Sequence, residues 1–206
     1  MEPLALDPNG FHGTYKLVGA QPSLDLINTL AWPGTDREHD WLEPVSNITS
    51  WAAEIDLIGH ETRRRLELDI ERGSVGTEID RARVRHIRET LRSALAPLAR
   101  GEAVPADAIE ALNRLLGTVC ARRRIDPETG RWSWGTPTTL EEVMAPVIWN
   151  AGEVLTGIDP SRLGRCPSCD WLFHDTTRNR SRRWCDMADC GSRDKALRYY
   201  HRNKPA

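Results

Sequence analysis

The sequence predicts a mainly helical α+β protein with short β-hairpins, in which a helical N-terminal part precedes a small C-terminal module. Apolar residues recur at helical spacing through much of residues 1–160. Four of the five cysteines lie between residues 166 and 190. The charge also changes sign: residues 1–160 hold 17 Lys and Arg against 25 Asp and Glu, whereas residues 161–206 hold 11 against 5. We therefore divide the chain into an acidic domain, 1–160, and a basic domain, 161–206.

The first elements of the N-terminal domain are a short strand and two helices. Residues 11–18 are predicted to form the strand. A helix is expected to begin at Pro22, to continue through Leu30 and to stop at the Trp-Pro-Gly sequence of residues 32–34. A second helix is predicted over residues 48–58 and ends at Gly59.

Three longer helical patterns and a hairpin follow. The helical patterns cover residues 77–100, 109–119 and 140–155, and we expect Pro97 to end the first of them early. Thr139 and Glu142 form a capping-box pattern before the third, in which Pro146 implies a kink. Between the second and third, residues 126–130 form the predicted turn of a hairpin. The predicted linker to the second domain is 157–164.

The cysteine spacing of the basic domain is typical of a zinc site. Cys166, Cys169, Cys185 and Cys190 form the pattern C-x2-C-x15-C-x4-C. Two disulfides are disfavoured in a reducing compartment, and a redox C-x-x-C would not need the second pair. Four thiolates close a tetrahedral coordination sphere, so the predicted Zn²⁺ is structural. His174 is an alternative ligand, and Cys120 is expected to be a core residue.

The residues between the ligands predict a hairpin followed by a helix, a treble-clef-like arrangement. Residues 171–173 form the first predicted strand and 178–184 the return strand, which would place Arg178, Arg180 and Arg182 on one face. A helix capped by Ser192 follows the last cysteine. Arginine suits bidentate contacts to phosphate and guanine. The predicted DNA-binding residues are Arg178, Arg180, Arg182, Arg183, Arg193, Lys195, Arg198 and Arg202. The alternative is that these cations dock the module on the acidic domain.

Residues 166–193, CPSCDWLFHDTTRNRSRRWCDMADCGSR, closely resemble the CGNR zinc-finger family. The resemblance extends upstream to residues 24–30, LDLINTL, which are similar to the early signature of the ABATE domain. It implies a bacterial, stress-induced transcription regulator whose finger binds double-stranded DNA. The tetrad that names the family reads Cys-Gly-Ser-Arg here, with Ser192 at the place of the asparagine.

Tryptophans suggest where a small-molecule effector would bind. Period-two alternation places Trp132 and Trp134 on one face of a strand, where they would form an aromatic wall, although the favoured alternative is that both are core residues. Asp25 and Asn28 are the candidate polar contacts, because the resemblance singles them out within an apolar helix. Capping or bonding to a neighbouring loop is the alternative for both.

Three classes of function remain open: a DNA-binding regulator, a zinc-stabilised protein-interaction adaptor and an enzyme. We favour the regulator, with the N-terminal domain sensing a ligand or mediating self-association. No phosphate loop, G-x-S-x-G or H-E-x-x-H motif indicates an enzyme. No uncharged run is long enough to cross a membrane, and the N-terminus lacks the features of a signal peptide. We expect a cytoplasmic, nucleoid-associated protein, and a homodimer would supply two DNA contacts.

Overall fold

A computed structural model of the chain describes residues 2–73 and 75–203. Within these ranges the chain forms helices connected by short antiparallel strand pairs, as predicted. The helices are α1 Pro22–Ile27, α2 Ser46–Glu54, α3 His60–Glu71, α4 Val75–Ala99, α5 Ala106–Cys120, α6 Leu140–Val143, α7 Ala145–Gly157 and α8 Ser192–Asn203. The strands are β1 Leu30–Ala31, β2 His39–Asp40, β3 Arg124–Ile125, β4 Trp132–Ser133, β5 Leu163–Arg165 and β6 Leu172–His174.

The beginning of the chain differs from the prediction. Residues 11–18 do not form a strand and contribute only a single bridge between Leu4 and Tyr15. Helix α1 ends at Ile27, and Leu30 instead enters β1, which pairs with β2. Helix α3 was not predicted, because only Leu66 among its residues is buried and its apolar stripe is correspondingly weak.

Two prolines act differently from the prediction. Helix α4 continues past Pro97 to Ala99. The proline lies in the last turn, and its carbonyl accepts hydrogen bonds from the Arg100 and Glu102 amides, which close the end of the helix. Pro146 lies in the first turn of α7, where a missing N–H is tolerated, and the predicted kink is a break between α6 and α7.

The predicted cap and turn are confirmed. Thr139 Oγ1 accepts a hydrogen bond from the Glu142 amide at 3.2 Å, which caps α6. Residues 126–130 join β3 to β4, and Asp126 Oδ1 accepts hydrogen bonds from the amides of Glu128 and Thr129. No helix of the described residues is long and apolar enough to cross a membrane.

One hydrophobic core runs through both parts of the chain. Helices α1, α4 and α7 pack together at its centre, and the core continues into Leu163, Leu172, Phe173 and the four clustered cysteines. The predicted linker, 157–164, is ordered: it contains the 3₁₀ turn Pro160–Arg162 and the start of β5. The division at residue 160 remains a prediction, since a shared core does not show which parts fold independently.

Candidate zinc centre and nucleic-acid face

The first cysteine pair lies in the turn of a hairpin. Strand β5 pairs antiparallel with β6, and Cys166 and Cys169 occupy the connection between them. The Cys166 amide donates to the Trp171 carbonyl at 2.8 Å, and the Asp170 amide donates to the Cys166 carbonyl at 3.0 Å. The predicted pairing of residues 171–173 with 178–184 is therefore wrong, because β5 occupies the place of the return strand and 178–184 is irregular.

The second cysteine pair lies directly before α8. Cys185 precedes a π-helical turn, Met187–Gly191, that contains Cys190 and runs into α8. Asp186 caps this turn by accepting a hydrogen bond from the Ala188 amide at 2.8 Å, so Asp186 takes the capping role predicted for Ser192. A β-carbon at Gly191 would lie 2.5 Å from Met187 Sδ and 3.1 Å from the Trp184 ring, so a larger residue here would displace the exposed Met187 side chain.

The four sulfur atoms fit a tetrahedral metal ion. All four cysteines are buried, and their Sγ atoms lie within 4.8 Å of one another. Cys169 Sγ lies 3.5 Å from Cys185 Sγ, which lies 3.6 Å from Cys190 Sγ. A tetrahedron with Zn–S bonds of about 2.3 Å has edges of about 3.8 Å.

These residues form a structural zinc site. Among the described residues the metal-binding cluster comprises the four cysteines, and His174 is not part of it. Four thiolates leave no position for water or substrate. Zn²⁺ would be held by Cys166, Cys169, Cys185 and Cys190, and it would tie the β5–β6 hairpin to the start of α8.

The partly buried Arg182 binds the zinc loop through backbone carbonyls. Its guanidinium donates to the carbonyls of Val18, at 2.7 Å, and Trp184, at 3.2 Å, and also to that of Cys185. The guanidinium carbon lies 4.4 Å from the centre of the Phe173 ring. Burial lowers the pKa of Arg182. The predicted face of three arginines is therefore not formed, since Arg182 bonds to the fold.

The remaining predicted DNA contacts divide into two groups. Three of them pair with carboxylates: Arg180 with Asp159, Arg193 with Asp189 and Arg198 with Asp194. The other four have exposed side chains and no ion pair to a described acidic residue; they are Arg178, Arg183, Lys195 and Arg202. Arg183 lies against the Trp184 ring and Arg202 against the Tyr199 ring.

The four residues predicted to contact an effector are engaged within the protein. Asp25 Oδ1 accepts a hydrogen bond from the Gly19 amide at 2.7 Å, and burial raises the pKa of Asp25 to about 7. Asn28 is fully buried, and its side chain pairs with both backbone groups of Leu172, at 2.7 and 2.8 Å. Trp132 and Trp134 contact the guanidinium of Arg123, which also lies 4.0 Å from the centre of the Trp149 ring.

Two of the predicted cations join the zinc module to residues 1–160, as the docking alternative expects: Arg180 pairs with Asp159 and Arg182 donates to the Val18 carbonyl. The other contacts across this junction were not predicted. The Trp32 indole donates to the Ser168 carbonyl at 3.1 Å, and Lys16 pairs with Asp186 at 2.7 Å. Arg92 forms an ion pair with Asp170. A cavity of 380 Å³ lies at this junction. The only sequence signal for it is the abundance of tryptophans.

Comparison with protein-family models decides the family. Residues 20–158 match ABATE, described as "Putative stress-induced transcription regulator", and this match covers more than half of the chain. The chain belongs to the ABATE family. Residues 162–203 match the CGNR zinc finger, so the ABATE segment is followed by the zinc module in the order that the resemblance implied. Neither ABATE nor the CGNR zinc finger is described as an enzyme family. A search of curated proteins finds no match.

Proposed function

We propose that this ABATE-family chain is a transcription regulator that binds double-stranded DNA through its zinc module. The observation that carries the proposal is the group of exposed cations beside the zinc centre. Arg178 and Arg183 lie in the loop before Cys185, and Lys195 and Arg202 lie on α8. The zinc site ties this loop to the start of α8, and the proposal takes the two groups of cations as one DNA-binding face.

The paired arginines of α8 extend this surface. Arg193–Asp189 and Arg198–Asp194 are i,i+4 pairs with partly exposed side chains. Such pairs contribute little to stability in water, so the guanidinium groups can exchange a carboxylate for a DNA phosphate at small cost. Arg182 has no such freedom, since its donors are bonded to backbone carbonyls.

The N-terminal part supplies the regulatory function in this proposal, by binding a small molecule, by forming a homodimer, or by both. One zinc module offers few contacts for specific recognition. A homodimer would read two half-sites and make the target sequence symmetric. The proposed place of action is the cytoplasm, at the nucleoid.

The test is the salt dependence of duplex binding by the zinc-loaded chain, measured by fluorescence anisotropy. The variant R178Q/K195Q removes two exposed cations from the proposed face. The matched control is R64Q/R114Q, which removes two exposed cations from α3 and α5. We expect the slope of log K against log salt to fall by about 2 in the variant, because each phosphate contact contributes about 0.9.

The control should keep the wild-type slope. Equal slopes in variant and control would contradict the proposed face. No measurable affinity of the wild-type chain for DNA would favour the protein-interaction adaptor instead.

A further inference from the structure

The cavity at the junction between the N-terminal segment and the zinc module has the dimensions of a ligand site. Its volume is 380 Å³, within the range of about 300–1,000 Å³ that is common for small-molecule sites. Its wall is formed by the turn of residues 10–14, by Trp32 and Trp41, and by residues around the zinc centre. Cys169, Cys185 and Cys190 also line the cavity, so zinc would lie at one side of it, and the ligand site is the part lined by residues 10–14, Trp32 and Arg37.

Aromatic side chains form most of the apolar wall. Phe11, Trp32, Trp41 and Trp171 all line the cavity. Phe11 lies edge-on to Trp41, with ring centres 5.7 Å apart, and is tilted against Trp32 at the same distance. Such a wall favours a flat aromatic molecule, because offset and edge-to-face contacts between rings are favourable.

Two buried donors in this wall have no acceptor. Trp41 is 2% exposed and Trp171 is 8% exposed, and the indole N–H of each donates to no atom of the described residues. Buried polar groups are almost always hydrogen-bonded, and an unmade bond costs free energy. A ligand that carries an acceptor oxygen on its ring, besides a carboxylate, would give these donors a partner.

Guanidinium groups define the charge at the mouth of the cavity. Arg37 is exposed, forms no ion pair to a described acidic residue and lies 4.4 Å from the centre of the Trp32 ring. Arg193 pairs with Asp189 through one nitrogen, whereas its Nη1 has no partner among the described residues. Lys16 and Asp186 neutralise each other. The buried thiolates that bind zinc are negative and would repel an anion. The anionic group of a ligand would therefore lie at the mouth of the cavity.

We propose that this cavity binds a small aromatic carboxylate, with its ring against the wall formed by Phe11 and the tryptophans and its carboxylate at Arg37 and Arg193. The proposal deepens the ligand-sensing part of the proposed function, since the occupant would contact the turn of residues 10–14 and the zinc module together. The experiment that tests this ligand site uses no DNA, so its result does not depend on whether the chain binds DNA.

The experiment records the indole N–H resonances of the zinc-loaded full chain during titration with benzoate. Benzyl alcohol and benzylamine, of similar size, are the neutral and cationic comparison probes. We expect benzoate to cause saturable shifts at Trp32, Trp41 and Trp171, while the resonances of Trp132 and Trp149 stay constant. Substitution of each tryptophan by phenylalanine assigns the resonances.

The variant R37Q should bind benzoate about tenfold more weakly, because one charge-assisted hydrogen bond is lost. The exposed cation in α5 provides the control R114Q, which should bind as the wild type does. Tighter binding of benzylamine than of benzoate would overturn the carboxylate assignment. Absence of saturable shifts, or equal shifts at Trp132, would overturn the site.

Discussion

Asp25 and Asn28 show that polar residues in an apolar helix can serve the fold directly. Both lie in or next to α1, and both are buried. Asn28 acts as a link between distant segments, because its side chain replaces a backbone partner for Leu172, 144 residues further along the chain. The alternative of a hydrogen bond to a neighbouring loop fits Asp25, which binds the Gly19 amide, whereas Asn28 binds strand β6. The sequence could not identify that partner, since side-chain pairing across 144 residues leaves no local pattern.

Asp25 predicts a specific dependence of stability on pH. Burial raises its folded-state pKa to about 7, whereas an unfolded aspartate titrates near 3.9. Between these values the folded state binds more protons, so the free energy of unfolding falls as pH rises from about 4 to about 7. The variant D25N retains an acceptor for the Gly19 amide and should therefore become more stable relative to wild type as pH rises from about 5 to 8.

Urea unfolding of the zinc-loaded chain at several pH values measures this difference. The control is D7N, which makes the same charge change at an exposed position. A constant difference between D25N and wild type across this range would contradict the shifted pKa.

At the scale of elements, the ligand spacing of the zinc site could be predicted but the strand pairing could not. Four cysteines at that spacing are sufficient evidence for a zinc site. Strand β5 carries a weak strand signal because it contains Gly164, whose missing side chain makes room for the Phe173 ring, 2.4 Å from the position of a β-carbon. The alternating arginines of 178–184 gave a stronger strand pattern, and packing inside the module overrode it.

The hydrogen bonds of the partly buried Arg182 predict a structural role within the loop between β6 and Cys185. The variant R182Q loses donors to the carbonyls of Val18 and Trp184, and we expect it to destabilise the chain by about 3 kcal/mol. The neighbouring R183Q is the control, because Arg183 is exposed.

Urea unfolding and the rate of zinc transfer to a chelator measure the two variants. R182Q should also release zinc faster, since Arg182 holds the Cys185 carbonyl. Equal stability and equal release rates in R182Q and R183Q would contradict this role.

At the scale of the whole molecule, the zinc centre and the helical part share a core. The division into an acidic and a basic part was visible in the sequence, but the close packing between them was not. It depends on single pairs such as Lys16 with Asp186 and on the Trp32 contact to Ser168. None of these pairs forms a periodic pattern, so only the three-dimensional structure shows them.

This packing predicts that zinc removal destabilises the N-terminal part as well. Loss of about 5 kcal/mol would lower the Tm of a chain of this size by about 10–20 °C. The variant C169S should reproduce the effect of a chelator, whereas C120S should not, because Cys120 is exposed and outside the cluster.

Thermal unfolding followed by helical circular dichroism and by tryptophan fluorescence measures the effect. We expect both signals to shift together. A helical transition at the same temperature with and without zinc would mean that the N-terminal part is stable without the zinc module.

The central claim, that the zinc module recognises a DNA sequence, is tested most directly by selection of genomic DNA fragments with the zinc-loaded chain at physiological salt. The account predicts one recurrent motif for the wild type and for R64Q/R114Q, with strong depletion for R178Q/K195Q, because the exposed cations position the module on its site. A two-fold symmetric motif would accompany a homodimer. Recovery of the same unsorted fragments by all three proteins would contradict the claim.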